Sequence, residues 1–288
     1  MCDSDHGSAF VVDTSVTRRS LIVTLSSVAA VTALPGAALA AGVIETNVMV
    51  KTADGSADAA LFRPAGRGPW PAVLLWPDIL GLRPVFREMG RRLAAQGYVV
   101  LVPNPFYRVR RAPIVTGPFD FNDKAALAKL FALKDGLTDA RVDSDSAALL
   151  GFLDRQRQVD RTKGVGVQGY CFSGPFAFRA AALRPERVRA VATFHGGGLV
   201  TGDASSPHLL IPKARASFLV AIARNDDHGQ PEAKGTLTAA FAAAMRPATV
   251  EVFHADHGWC VAGSPSYNEP EAERAWSGLL HLYRTKLG

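Results

Sequence analysis

Short, wholly apolar runs alternate along this chain with longer stretches whose apolar positions recur every three to four residues. Residues 71–76 (PAVLLW) and 98–102 (YVVLV) show no polar alternation, the pattern of strands covered on both faces of a sheet. Between them, residues 84–96 place Val85, Met89 and Leu93 four apart, which predicts a helix, and Gly97 ends it. Strand, helix and strand in close succession make a βαβ unit. The succession recurs downstream, with helices expected over 142–152, 174–183, 234–245 and 271–286 and strands over 165–168, 188–194, 217–223 and 249–253. Ahead of it, 47–51 and 57–63 read as two short strands across the turn-forming Asp54-Gly55. The whole predicts an α/β fold with a mostly parallel central sheet and helices on both faces. Residues 103–122 carry four prolines and little periodicity, which predicts a loop over the carboxyl edge of the sheet, where such folds bind ligands. No repeat or linker interrupts the pattern, so one domain over 41–288 is expected.

The first forty residues read differently. Thr17-Arg18-Arg19-Ser20 precedes an apolar run over 21–34, and Ala38-Leu39-Ala40 supplies the small residues of a cleavage site. The run is short for a bilayer span, and an arginine pair before a modest apolar run resembles a twin-arginine export signal. Residues 1–40 are therefore expected to be a removable signal, giving a periplasmic protein with no stable membrane anchor. The composition, 48% hydrophobic and 20% charged, is that of an ordinary globular domain. A net charge of +6 is mildly basic, but no run of Lys and Arg interleaves with aromatics, so a small molecule rather than nucleic acid is the expected partner. Of three cysteines, Cys2 falls in the signal, and Cys171 and Cys260 are too few for a disulfide-built scaffold.

Cys171 is placed for chemistry. The strand over 165–168 runs into Gly169-Tyr170-Cys171-Phe172-Ser173-Gly174 and then directly into a helix. A nucleophile elbow needs a reactive side chain at the centre of a sharp strand-to-helix turn, with small residues two positions to either side. Gly169 and Ser173 are those residues, whereas Ser173 as nucleophile would be flanked by Cys171 and Pro175. A thiol nucleophile needs a base, and the base an orienting acid, in the chain order nucleophile, acid, base. The acid is expected just past the strand over 217–223, where Asp226 is preferred and Asp227 remains open. The base is expected past the strand over 249–253, where His257 precedes flexible Gly258 and His254 reads as structural. Two other patterns are set aside. His195-Gly196-Gly197-Gly198 follows the nucleophile instead of preceding it, so it reads as a post-strand loop and not an oxyanion loop. His254, Asp256 and His257 have no known zinc spacing, and neither metal nor cofactor is expected.

The segments Trp76-Pro77-Asp78-Ile79-Leu80-Gly81, Pro103-Asn104-Pro105-Phe106-Tyr107-Arg108, Gly169-Tyr170-Cys171 and His257-Gly258-Trp259 resemble those of the dienelactone hydrolase family of α/β-hydrolases. The likeness spans nearly the whole of 41–288. It implies that Asp78 contacts the resting thiol and assists its ionisation. It also implies that the N–H groups of Ile79 and Phe172 form an oxyanion hole and that Arg108 binds a substrate carboxylate. In the best-known members an arginine stands four residues after the catalytic histidine. Val261 stands there in this chain, which implies a substrate with one carboxylate or none. Trp259, Phe106, Tyr107 and Tyr170 are the aromatics that could instead build a more apolar substrate pocket.

The function expected is hydrolysis of a lactone or small activated ester by Cys171, Asp226 and His257. The alternatives are a general carboxylesterase or thioesterase, or a binding or thiol-redox protein in which Cys171 and Cys260 pair. Oligomeric state is not legible in the sequence.

Overall fold

A computed structural model describes residues 42–288, so the export signal and cleavage site expected over 1–40 lie outside the described residues. Eight strands form one sheet in the order β1-β2-β4-β3-β5-β6-β7-β8. β1 (Val43–Thr52) and β2 (Gly55–Pro64) form an antiparallel hairpin across Asp54-Gly55, and β2 pairs antiparallel with β4 (Val99–Pro103). From β4 onward every pairing is parallel, through β3 (Ala72–Trp76), β5 (Val165–Tyr170), β6 (Val188–Phe194), β7 (Ser217–Ala223) and β8 (Ala248–Phe253). Together these form the α/β-hydrolase fold.

Successive residues of a strand point to opposite faces, so a strand covered on both sides must be apolar throughout. Leu74, Val167 and Val220 pack on one face beneath α3 (Asp139–Asp154), α4 (Gly174–Leu183) and α6 (Glu232–Ala243), through Leu149, Phe178 and Phe241. Val73, Leu75 and Val100 pack on the other face beneath α1 (Pro84–Ala94) and α7 (Glu269–Leu287), through Phe86, Leu93 and Leu279. Each such side chain contributes about 1.5–3 kcal/mol on burial. The two-layer cover is therefore what holds the sheet, and no disulfide is present among the described residues.

Two helices depart from the sequence expectation. Residues 103–122 do form a loop, but α2 (Lys124–Asp135) follows it, and its first turn is capped by the Asp123 carboxylate accepting from the N–H groups of Ala125 and Ala126. Its Ala- and Leu-rich sequence favours a helix, but it buries only Leu130, so no apolar stripe marks it. The short α5 (Arg224–Gly229) starts directly at the end of β7 and holds both candidate acids. No helix among the described residues is long and apolar enough to cross a membrane.

Candidate active site

The end of β5 and the start of α4 build the turn around Cys171. Its φ of +57° lies in the left-handed region, which costs a non-glycine residue about 1–3 kcal/mol and persists only where its surroundings enforce it. The enforcement is visible. A Cβ on Gly169 would stand 2.1 Å from the Ser173 carbonyl oxygen, so only glycine lets the chain fold back this tightly. The buried Ser173 hydroxyl accepts from the Tyr170 N–H at 2.9 Å and has the carbonyl oxygens of Tyr170 at 3.0 Å and Trp76 at 3.1 Å as acceptors for its one proton, placing the turn against the end of β3. The small residue on the far side of the elbow thus also serves as an internal brace. The first turn of α4 follows at once, so Cys171 stands at the N-terminal end of that helix.

His257 reaches this turn from the loop between β8 and α7. Its backbone N–H donates to the Asn225 side chain at 2.8 Å, and Nδ1 lies 2.7 Å from Asp226 Oδ2. Of the two candidate acids, Asp226 is the one in contact, because α5 turns it toward the histidine. With Nδ1 held by the carboxylate, Nε2 is left to face the sulfur, and the Cys171 Sγ and His257 ring nitrogen lie within 4.8 Å. Burial opposes a charge on His257, but the Asp226 carboxylate and the Cys171 sulfur outweigh it and push its pKa up to about 10. The arrangement is suited to a thiolate–imidazolium pair, and such contacts tighten when a substrate closes the site.

The cleft in front of Cys171 has a volume of about 550 Å³ and is lined by Ile79 and Phe172 on its inner side and by Phe131 and Leu137 toward α2. The Ile79 N–H has no acceptor among the described residues, which leaves it free for a substrate oxygen. The charged lining residues are Lys134 and Arg179 against Asp135, Asp139 and Asp203, so the cleft carries no positive excess. Arg179 is itself held by Asp139 and Asp143 at 2.8 and 2.6 Å.

Four residues expected at the site are engaged elsewhere. Arg108 donates to both oxygens of Asp145 at 2.7 and 2.8 Å and to Asp54 at 2.7 Å, so its guanidinium braces α3 against the β1–β2 turn. Tyr107 donates to Asp145 as well. Burial and the neighbouring Asp145 push its pKa up to about 12, against the hydrogen bond with Thr52. Neither residue lines the cleft. Trp259 is fully buried and stacks flat on Phe253 at 4.5 Å, because the chain after Gly258 (φ +94°) turns back into the core. Asp78 accepts from Arg83 at 2.5 and 2.8 Å and from the Leu80 N–H at 3.0 Å, so both its oxygens are committed within its own turn. Cys260 and Cys171 are both free thiols, and Cys260 opens onto a separate cavity between α1 and α7, lined by Arg92, Tyr170 and Trp276.

One neighbour of the site was read only as part of a loop. His195, directly after β6, is 1% exposed, and its ring centroid lies 4.7 Å from that of His257. Burial and the adjacent His257 hold its pKa well below the usual imidazole value. Neither ring nitrogen has a hydrogen-bond partner among the described residues. The sequence signal was the His195-Gly196-Gly197-Gly198 run at a strand's carboxyl end, but only the parallel sheet brings that end beside Cys171.

Residues 57–287 match the model of the dienelactone hydrolase family. A carboxymethylenebutenolidase from a Pseudomonas species is 30% identical over 215 residues, covering 72% of this chain and 81% of that protein. A Synechocystis protein provisionally assigned the same activity is 28% identical over 233 residues, covering 79% of this chain and 91% of that protein. A Klebsiella pneumoniae structure, provisionally assigned as a dienelactone hydrolase, superimposes with a TM-score of 0.73 at 23% identity, covering 84% of this chain and 99% of that one. The elbow, the chain order of its partners and the matched length converge, and the chain belongs to the dienelactone hydrolase family.

Proposed function

We propose that this hydrolase cleaves a lactone or a small activated ester with Cys171 as nucleophile, His257 as base and Asp226 as the residue that orients it. The observation that carries this reading is the strained Cys171 elbow facing a histidine whose other nitrogen lies 2.7 Å from a carboxylate. The Cys171 thiolate attacks the carbonyl carbon, and the N–H groups of Ile79 and Phe172 take the developing oxyanion. His257 gives its proton to the departing oxygen, leaving a thioester. It then takes a proton from water, whose hydroxide attacks the thioester carbonyl, releasing the acid and restoring the Cys171 thiolate beside a protonated His257. Good leaving groups such as enolates suit a thioester route better than amides do.

The cleft supports a substrate with one carboxylate or none. Val261 is buried, Arg108 is committed to Asp145 and Asp54, and the lining charges do not sum to a positive field. The twin-arginine-like start of the chain supports action in the periplasm, and N-terminal sequencing of exported protein would test that by finding Ala41 first.

The deciding experiment is turnover of a dienelactone, simple lactones and p-nitrophenyl acetate by reduced wild type, Cys171→Ala, Asp226→Asn and Asp227→Asn. Wild type should act best on neutral substrates, and Cys171→Ala should be inactive. Asp226→Asn should lose about 10²–10⁴-fold in kcat, with Asp227→Asn near wild type. Full activity in Cys171→Ala would overturn the reading.

A further inference from the structure

His195 has no work in that mechanism, yet it is buried beside His257 with both ring nitrogens unpartnered among the described residues. A buried polar ring without partners costs free energy that a well-packed apolar side chain would not. Its placement is enforced. The residue has a left-handed φ of +42°, and its N–H is fixed to the Ala221 carbonyl at 2.8 Å, which turns the ring in among Tyr170, His257 and Trp259. One ligand atom each from Cys171, His195 and His257 then falls within 4.8 Å of the others.

We propose that Cys171, His195 and His257 form a binding site for zinc or a similar borderline-soft divalent cation, and that its occupancy switches hydrolysis off. Thiolate sulfur and imidazole nitrogen are both donor types that zinc takes, and three protein ligands leave the fourth tetrahedral position for water. Metal–ligand bonds of about 2.0–2.3 Å put tetrahedral ligands about 3.3–3.6 Å apart, so the three side chains must close by about 1 Å. His257 is already arranged as metal-binding histidines are, with Nδ1 on the Asp226 carboxylate and the other nitrogen facing the ligand position. Two of the three ligands would be the proposed nucleophile and base, so the ion competes directly with catalysis. Binding leaves every oxidation state unchanged. Cys171 and His257 share one proton beforehand, the cation takes the sulfur and nitrogen lone pairs, and that proton passes to solvent.

The inhibitory part of this inference rests on the hydrolase reading, whereas the binding part does not. Both are read by titrating Co²⁺, as a spectroscopic substitute for Zn²⁺, into reduced wild type, Cys171→Ser, His195→Phe and His195→Asn. Phenylalanine keeps the ring's volume, and asparagine tolerates the left-handed backbone, so the test does not depend on one variant folding. Wild type should show a thiolate-to-cobalt charge-transfer band that saturates at one ion per chain and is displaced by Zn²⁺. The band should vanish in Cys171→Ser. In both His195 variants the affinity should fall by more than the roughly 10–100-fold that loss of an outer-shell partner costs. Zn²⁺ should inhibit wild-type hydrolysis at the concentrations that displace cobalt, with EDTA restoring the rate. No band at millimolar Co²⁺, a band retained in Cys171→Ser, or unchanged affinity in both His195 variants would overturn the site. If the band behaves as expected in a protein that hydrolyses nothing, the metal site stands and the hydrolase reading falls. If Cys171-dependent hydrolysis is present without the band, the reverse holds.

Discussion

Replacing Arg108 separates a structural brace from a substrate clamp. Asp145 is a carboxylate with only 3% of its side chain exposed, and it receives two hydrogen bonds from Arg108 and one from Tyr107. Arg108, 13% exposed, stacks its guanidinium over the Tyr107 ring at 4.5 Å and also reaches Asp54. Arg108→Ala leaves the Asp145 charge buried with a single phenolic donor. Removing one partner of a buried pair costs about 3–5 kcal/mol, far more than the pair's net contribution when both are present. For a domain of this size that is a fall in Tm of roughly 6–20 °C. Urea unfolding followed by fluorescence of the four tryptophans measures it directly. The double variant Arg108→Met with Asp145→Leu should recover most of the loss, because neither charge is then left alone. The same proteins, assayed on a neutral and a carboxylate-bearing lactone, should show no selective rise in KM for the anionic one. Stability within about 0.5 kcal/mol of wild type, together with such a selective rise, would refute the brace and return Arg108 to the substrate.

Two further outcomes follow from the elbow and from His257. Ser173→Ala removes a buried hydroxyl that accepts from the Tyr170 N–H and has the Tyr170 and Trp76 carbonyls as acceptors for its proton, so it should cost about 1–3 kcal/mol in urea unfolding and lower kcat more than it raises KM. The proton on His257 is bound more tightly in the folded chain, with its pKa pushed from the ordinary 6.5 up to about 10, so its stabilisation is fully present below pH 6.5 and is lost as pH rises toward 10. The gap in Tm between wild type and His257→Gln should therefore narrow between pH 6.5 and 10, and a gap that widened over that range would contradict the assignment.

What the sequence determined was whatever depends on neighbours along the chain. The wholly apolar runs at 71–76 and 98–102 had to be doubly covered strands, because polar groups cannot alternate into two cores. Gly169 and Cys171 marked the elbow because a close backbone approach and a strand-to-helix turn are local events. His257 and the Asp226-Asp227 pair were legible as residues just past strand ends, the parallel sheet then brings those ends together, and only the fold puts Asp226 in contact with His257. α2 was missed because it buries one leucine and so leaves no stripe in the pattern. Only the tertiary structure decided how the charges are paired. Arg108 meets Asp145 across 37 residues of chain, a choice invisible to any local window. Arg83, only five residues from Asp78, claims that carboxylate because α1 begins where it can reach it. Trp259 went to the core and His195 to the side of Cys171 and His257 for the same reason. A side chain's partner is set by which strand ends and loops the sheet order makes adjacent, and that order belongs to the whole chain.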